Sequence, residues 1–435
     1  MLDLLAAPVT HTTVGAHDDP SLLLGVDEAR ERILTAFAPL PTVRVPLLDA
    51  LGMVLAVDAI AGGAVPRFAN AAMDGFAVRA ADTAGAGPAR PATLAVVGEA
   101  AAGRAMAAVV GPGQAVRIMT GAPVPTGADA VVRFEETDEA TGESGGGRTG
   151  RIIRVLRPVV PGQNVRPVGE DFPAGATVLA AGSRVRPAGL GLLATLNRTH
   201  ATVHRRPTVA VLATGDEVVD PGDDLGPGQI RNSNSALVAG LVRRCGGEPR
   251  VLGVARDDAD HLREKLREAL AADLIVTTGG VSVGDYDLVK RVLRQEGRIE
   301  LWQVRIKLGK PLAFGWIGET PLLGLPGNPV AAAVAFEQFA RPAIGRMLGR
   351  RDLSLPSVPA RLVGRIENRG GRRHFARVRV EWAGNGYVAT PAGAQGAGIL
   401  STLARANALL VVPEEMREAV DGDVLVAQML DWDVA

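Results

Sequence analysis

TVAVLATGDEV, residues 208–218, is the stretch on which the fold turns. Pro207 stands before it, the apolar run is unbroken, and it stops at Gly215, Asp216 and Glu217. A strand buried on both faces reads this way. The same grammar repeats along the next 140 or so residues. NSNSALVAGLVRRCGG (232–247) is a capped helix and PRVLGVARDD (249–258) a strand. DADHLREKLREALAA (258–272) is a helix, DLIVTTGG (273–280) a strand and YDLVKRVLRQEG (286–297) a helix. βα units of this length predict a parallel sheet with helices on both faces. NPVAAAVAFEQFARPAIGRMLG (328–349) is the last long helix of this domain.

On either side the pattern changes. VDEARERILTAF (26–37) has helical spacing, with Asp27 as its N-cap. Between residues 63 and 166 the apolar runs are short (TLAVVGEA, QAVRIMT, DAVVRFEE, RIIRVLRP) and broken by Gly, Pro and Asp, which predicts a small β domain. TGESGGGRTG (141–150) reads as a hairpin tip. Residues 167–206 form a connecting piece. After SLPSVP the short strands return in HFARVRVEWAGNGYVATP (374–391) and NALLVVP (407–413), predicting a C-terminal β domain.

Composition narrows the function. The chain has 435 residues, room for about three domains. Its 47 basic and 47 acidic residues cancel, so bulk attraction to nucleic acid or a membrane surface is not expected. Aromatic residues are 3%, too few for a base-stacking surface. The one cysteine, Cys245, excludes an internal disulfide or a thiolate cluster and sits where a helix ends. The histidines lack zinc-hydrolase spacing. The first 21 residues carry no basic segment of a secretory signal and read as a disordered arm. No apolar run spans a membrane, and a soluble, cytoplasmic protein is expected.

In a doubly wound sheet, ligands bind at the carboxyl ends of the strands. The strands here end in Thr214-Gly215-Asp216-Glu217, in Arg256-Asp257-Asp258, and in Thr278-Gly279-Gly280 with Ser282, Gly284 and Asp287 beyond. Gly324-Leu325-Pro326-Gly327-Asn328-Pro329 and RIKLGKPLAFG (305–315) belong to the same edge. Glycine turns before helix starts leave N–H groups free for an anion. Carboxylates can hold Mg²⁺ against phosphate oxygens. Lysines supply mobile positive charge. Together they predict a phosphorylated ligand with a divalent ion. Singly, each has a plainer reading: TTGG is a tight turn, Asp257 and Asp258 are helix caps, LPGNP is a turn with a helix start, and Asp74 in AAMDGFAV is a turn residue. The lysines are harder to read as structural. Only four lysines, at 265, 290, 307 and 310, stand among 47 basic residues, and two of them flank Leu308-Gly309.

In their order, AAMDGFAV, RIMTGAPVPTGADAVV, NVRPVGEDF, LATGDEV, IRNSNSALVAGLV, TTGGVSVGDYDLVK, IKLGKPLAFG and GLPGNPVAA resemble the MoeA-type molybdopterin molybdenumtransferases, the family that includes the C-terminal domain of gephyrin. The resemblance implies a homodimeric, multidomain α/β protein. Its expected parts are a split N-terminal linker domain (22–62 and 167–206), a small β domain (63–166), a molybdopterin-binding three-layer α/β domain (207–350) and a C-terminal β-barrel-like domain (355–435). The activity implied is insertion of molybdate into adenylylated molybdopterin with Mg²⁺-dependent release of AMP. Carried over residue by residue, the catalytic set is Asp74, Thr120, Asp171, Glu217, Asp257, Asp287, Lys307 and Lys310, with Glu217, Asp257 and Asp287 toward the metal. The pterin side falls on Thr214, Gly215, Gly279, Gly280, Ser282, Gly284, Pro326, Gly327, Asn328 and Pro329. Two other readings stand beside it: an adenylyltransferase on the same pterin, and a gephyrin-type scaffold without turnover. One departure is visible. Where the family has a Gly-Ser-His type stretch this chain has GAQGAGILS (393–401), with Ala397 and Gly398 in those places and Ser401 as a possible substitute. Arg372, Arg373 and Arg377 read equally as an anion site or a solvated face.

Overall fold

The computed structural model describes residues 23–103, 109–139, 150–280 and 288–431. The N-terminal arm, the tip at 141–150 except Gly150, and Ser282, Gly284 and Asp287 lie outside the described residues. The chain forms two compact units. One holds residues up to Val57, Gly182–Leu190 and everything from His200 onward; the other holds Asp58–Ala181 and Gly191–Thr199.

The large unit is built on a six-stranded sheet. Its strands are β1 (Thr208–Thr214), β2 (Glu248–Ala255), β3 (Leu274–Thr278), β4 (Gly297–Gln303), β6 (Pro311–Ile317) and β7 (Thr320–Leu325), with a short β5 (Ile306–Lys307) outside the sheet. The order is β2-β1-β3-β7-β6-β4. The first four are parallel, as the βα alternation predicts; β6 alone runs against them, and the edge strand β4, antiparallel to β6, has their direction again. The reason is loop length. Only Gly318 and Glu319 separate β6 from β7, and a two-residue link cannot return a strand in parallel.

Both faces are covered. Residues of alternate parity point opposite ways along a strand. Val209, Val211, Leu274, Val276, Leu323 and Leu325 therefore pack with α1 (Ser233–Cys245) and the helix that starts at Pro329. Ala210, Leu212, Ile275 and Leu322 pack with α2 (Ala259–Ala269) and α3 (Leu288–Glu296).

Capping follows the sequence in two helices and departs from it in a third. Asn232 caps α1 by accepting from Ser235 N, and Gly246 ends that helix in the left-handed conformation. Asp258 caps α2 by accepting from His261 N. The expected Asp27 cap is wrong. Helix Val26–Leu34 begins at Gly25, and the Asp27 carboxylate instead accepts from Arg30 and Arg373. The long final helix is continuous from Pro329 to Met347 but takes a π turn at Phe336–Ala340, just before Pro342. Proline has no N–H to give to the preceding turn, so the ladder re-registers there.

The C-terminal strands close on themselves. β8 (Ser357–Leu362), β9 (Arg373–Trp382), β10 (Tyr387–Pro391), β11 (Ala408–Val412) and β12 (Val424–Met429) pair in the circuit β9-β10-β8-β12-β11-β9, a five-stranded barrel filled by side chains such as Val378, Ala389 and Leu410. Short β5 pairs in parallel with the start of β9, Ile306 with Arg373 and Lys307 with His374. The lysine stretch is thereby tied to the barrel. Among the described residues no helix is long and apolar enough to cross a membrane.

In the small unit a five-stranded sheet runs in the order Ala130–Arg133, Gly75–Val78, Gln114–Ile118, Ala92–Ala100, Ile152–Val155. The four apolar runs read from the sequence all become strands, and Phe134–Glu136 leaves the third as a 3₁₀ turn.

Candidate functional site

At the carboxyl edge of β1, β3 and β7 lies a cavity of about 630 Å³. Thr214 and Glu217 reach it from the end of β1, Gly279 and Gly280 from β3, and Pro326 to Pro329 from β7. Lys310 comes from the turn between β5 and β6. The strands bring these segments together because parallel strands in register end at one level. Close approach is enforced at Gly279, where an added Cβ would stand 3.0 Å from both the Thr214 carbonyl and its hydroxyl.

Two helix starts face this space, α1 at Ser233 and Asn234 and the final helix at Asn328 and Pro329. Their N-terminal N–H groups and dipoles favour an anion. Asn234 locks the two together by donating from Nδ2 to the Gly327 carbonyl at 2.6 Å. In the sequence Asn232 reads as part of a helix cap, and Asn234 has no role there. A repeated Asn at a helix start, facing a strand-end turn, was the available signal.

The two lysines part company. Lys310 lines the cavity, whereas Lys307 donates from Nζ to the Glu367 carbonyl, and burial pulls its pKa down. Between them the backbone is unusual: Leu308 has φ +64 and Gly309 φ +119. A bulky residue at positive φ is costly and marks a turn held by its surroundings.

The remaining expected residues spread out. Gly215 follows Thr214 and donates its N–H to the Ala255 carbonyl. The Asp257 N–H donates to Asp216 Oδ1 at 2.9 Å, and Asp257 is exposed and lies outside the cavity wall. In the small unit Asp74 accepts from both the N–H and the hydroxyl of Thr120, at 2.6 and 2.8 Å. Those bonds, the backbone one first, hold the Asp74 carboxyl below its usual pKa. Asp171 is exposed in the same unit, its N–H bonded to the Val65 carbonyl.

The arginine cluster resolves into three different roles. Arg373 pairs with Asp27 at 2.8 Å and Glu414 at 3.2 Å. Arg377 is fully buried, donating to Thr402 Oγ1 and to the carbonyls of Ala394 and Gly396, and desolvation lowers its pKa to about 10. Arg372 lines the cavity. Ala397 lines it too, and its carbonyl accepts from Val330 N at 3.1 Å. Ser401 is exposed on the short helix Leu400–Arg405 and lies outside the cavity wall.

A mixed α/β sheet with an anion-suited cavity at its switch edge, joined to a small barrel, defines an α/β protein built to bind an anionic ligand. Residues 24–197 match the MoeA N-terminal region (domain I and II), 210–346 the "Probable molybdopterin binding domain" and 359–428 the MoeA C-terminal region (domain IV). The chain is 40% identical over 399 residues to molybdopterin molybdenumtransferase 2 of Mycobacterium tuberculosis, covering 90% of this chain and 95% of that one. It is 31% identical to the molybdopterin molybdenumtransferase of Staphylococcus aureus, over 94% of this chain and 96% of that one. The crystal structure of the molybdopterin biosynthesis MoeA protein from Pyrococcus horikoshii OT3 superposes with a TM-score of 0.80 at 32% identity, covering 94% of this chain and all of that one. The chain belongs to the MoeA family of molybdopterin molybdenumtransferases.

Proposed function

We propose that this protein is the transferase of molybdenum cofactor biosynthesis that takes adenylylated molybdopterin, inserts molybdate and releases AMP. The observation that carries the reading is the cavity itself, where Lys310, two helix starts and the glycine turns surround a space in which Glu217 is the one carboxylate among the described residues. Such a wall suits an anionic, phosphorylated heterocycle better than a neutral one.

Catalysis here is positioning and electrostatics. The N–H groups at Ser233–Asn234 and Asn328 orient the phosphates, and Lys310 neutralises an oxyanion as a compact point charge. The residues present fit a divalent ion. Among the described residues no three His, Cys, Asp or Glu side chains converge, but Mg²⁺ needs only one or two carboxylates beside substrate phosphates and water; Glu217 on the cavity wall supplies one, and Asp257 belongs to the set on family resemblance. When bound, the ion would offset the charge of the phosphoanhydride. Asp74, Thr120, Asp171 and Lys307 belong to the proposal on family resemblance, as do the four-part division of the chain, a cytoplasmic homodimer, and Ser282, Gly284 and Asp287.

The test is to incubate the purified chain with adenylylated molybdopterin, Mg²⁺ and molybdate and to follow AMP. Release should require both ions. Equal turnover in EDTA, or none in the complete mixture, overturns the assignment, and light scattering checks the dimer.

A further inference from the structure

Two asparagines stand at the start of α1, and they are bonded very differently. Asn232 is satisfied on both sides: its Oδ1 accepts from Ser235 N at 3.1 Å, and its Nδ2 donates to Asp220 Oδ1 at 2.6 Å and to Ser235 Oγ at 2.9 Å. It caps the helix and ties down the loop that follows β1. Asn234 is not needed for that. It is 9% exposed, its Oδ1 finds no donor among the described residues, and its Nδ2 makes one bond, 2.6 Å long, to the Gly327 carbonyl 93 positions away. A buried amide oxygen left unpaired costs stability, so the fold alone gives no reason for an asparagine here.

What Asn234 holds is one peptide. The Gly327–Asn328 peptide is trans, and in a trans peptide the C=O and the N–H point opposite ways. The carbonyl is fixed by Asn234, and the N–H, that of Asn328, has no acceptor among the described residues. Gly327 also lies against the glycine turn at the end of β3, where an added Cβ would meet Gly279 Cα at 3.6 Å. Asn234, Gly279, Gly327 and Asn328 all line the cavity. One side-chain amide therefore joins α1 to a turn that also packs on the end of β3, and fixes the direction of a free N–H on that wall.

We propose that the Asn234 side chain is a positioning group for the substrate phosphate: it does not touch the phosphate, but aims the Asn328 N–H that does. This rests on the function proposed above. A donor already held in place needs no reorganisation as charge moves during transfer, which makes its orientation worth more than its number.

The experiment compares wild type with Asn234→Asp, which keeps the size but sets an acceptor where Gly327 needs a donor, and with Asn234→Gln, which restores a donor on a longer arm. Asn407→Asp is the control. Asn407 is also buried and clamps backbone, accepting from Val380 N at 2.7 Å and donating to the Val380 carbonyl at 2.9 Å, but it lies outside this cavity wall. Calorimetry gives affinities for AMP and for adenosine, which lacks the phosphate; AMP release from adenylylated molybdopterin gives kcat/KM, and thermal melts give stability. In Asn234→Asp, AMP should bind about tenfold more weakly and kcat/KM should fall about 10- to 100-fold, with adenosine affinity unchanged. Asn234→Gln should recover part of both losses. A purely structural residue would weaken AMP and adenosine alike, or lose activity only in proportion to its melt as the control does, and either result overturns the proposal. Where adenosine binds too weakly to measure, kcat/KM against the control decides. If the aspartate variant fails to fold, the glutamine variant reads the same quantities. Wild-type AMP affinity and turnover in a folded Asn234→Asp overturn the proposal and leave the functional reading standing; a wild type that binds no AMP and releases none overturns both.

Discussion

Replacing Gly309 by alanine separates the shape of the lysine turn from its charge. Gly309 sits at φ +119, and a Cβ added there meets nothing closer than the Ala331 carbonyl oxygen at 3.6 Å. The penalty is therefore conformational and not one of crowding. Holding an L residue in that region costs about 1–3 kcal/mol, and the stiffer unfolded chain returns about 0.4–1 kcal/mol. A net loss of about 1–2 kcal/mol should lower the melting temperature by a few degrees, at roughly 2–4 °C per kcal/mol. The chain relieves part of this strain by rotating the peptide that leads into Lys310. A misplacement of about 1 Å in a positioning group costs on the order of 10²-fold in rate. Gly364 provides a matched control in the barrel, with φ +106 and its nearest contact, Pro391 Cδ, also at 3.6 Å, yet outside the cavity wall. Gly309→Ala and Gly364→Ala should lose similar stability, while only the first loses about 10- to 100-fold in kcat/KM for AMP release. Equal activity in the two variants would show that the turn geometry does not position Lys310.

His374 is fully buried, and burial, helped by the charges of Lys307 and Arg377, depresses its pKa from 6.5 to about 3. The unfolded chain therefore binds a proton that the folded one refuses, so stability should fall as pH drops from about 6.5 toward 3. Urea midpoints at pH 7 and pH 4.5 should separate more in wild type than in His374→Gln, and identical separations would exclude the residue as a source of acid sensitivity. Cys245 lies buried at the end of α1, its thiol pushed up to about 12 mainly by desolvation. Ellman's reagent at pH 8 should find no reactive thiol in the native protein and one per chain in guanidinium, whereas rapid native labelling would contradict the packing described.

Much of the large unit was readable in the sequence because its signals are local. An unbroken apolar run ending in Thr214-Gly215 specifies a doubly buried strand, Asn232 and Gly246 bracket α1, and Asp258 caps α2, each through contacts within a few residues. Asp27 shows where local reading stops: at its helix start the carboxylate accepts not from a backbone N–H but from the side chains of Arg30 and of Arg373, the latter hundreds of positions away. The same limit explains the sheet. That β4 pairs with the reversed β6 at the edge, and not with another strand of its own direction, depends on which neighbours it finds, and periodicity is silent about neighbours.

For the site, sequence alone determined which residue types gather at the strand ends, since a parallel sheet must bring its loops to one edge. Which of two lysines and which of three arginines face the cavity was decided only by tertiary structure. Lys307 and Lys310 are chemically the same and three residues apart, but the positive φ values at Leu308 and Gly309 reverse the chain between them, sending one toward the Glu367 carbonyl and the other to the cavity wall. Arg372, Arg373 and Arg377 divide in the same way, because the barrel supplies carbonyls to Arg377, brings acids from distant segments to Arg373, and sets Arg372 on the cavity wall. Side-chain charge is written in the sequence; the surroundings that neutralise it or turn it toward a ligand are a property of segments that meet only when the chain has folded.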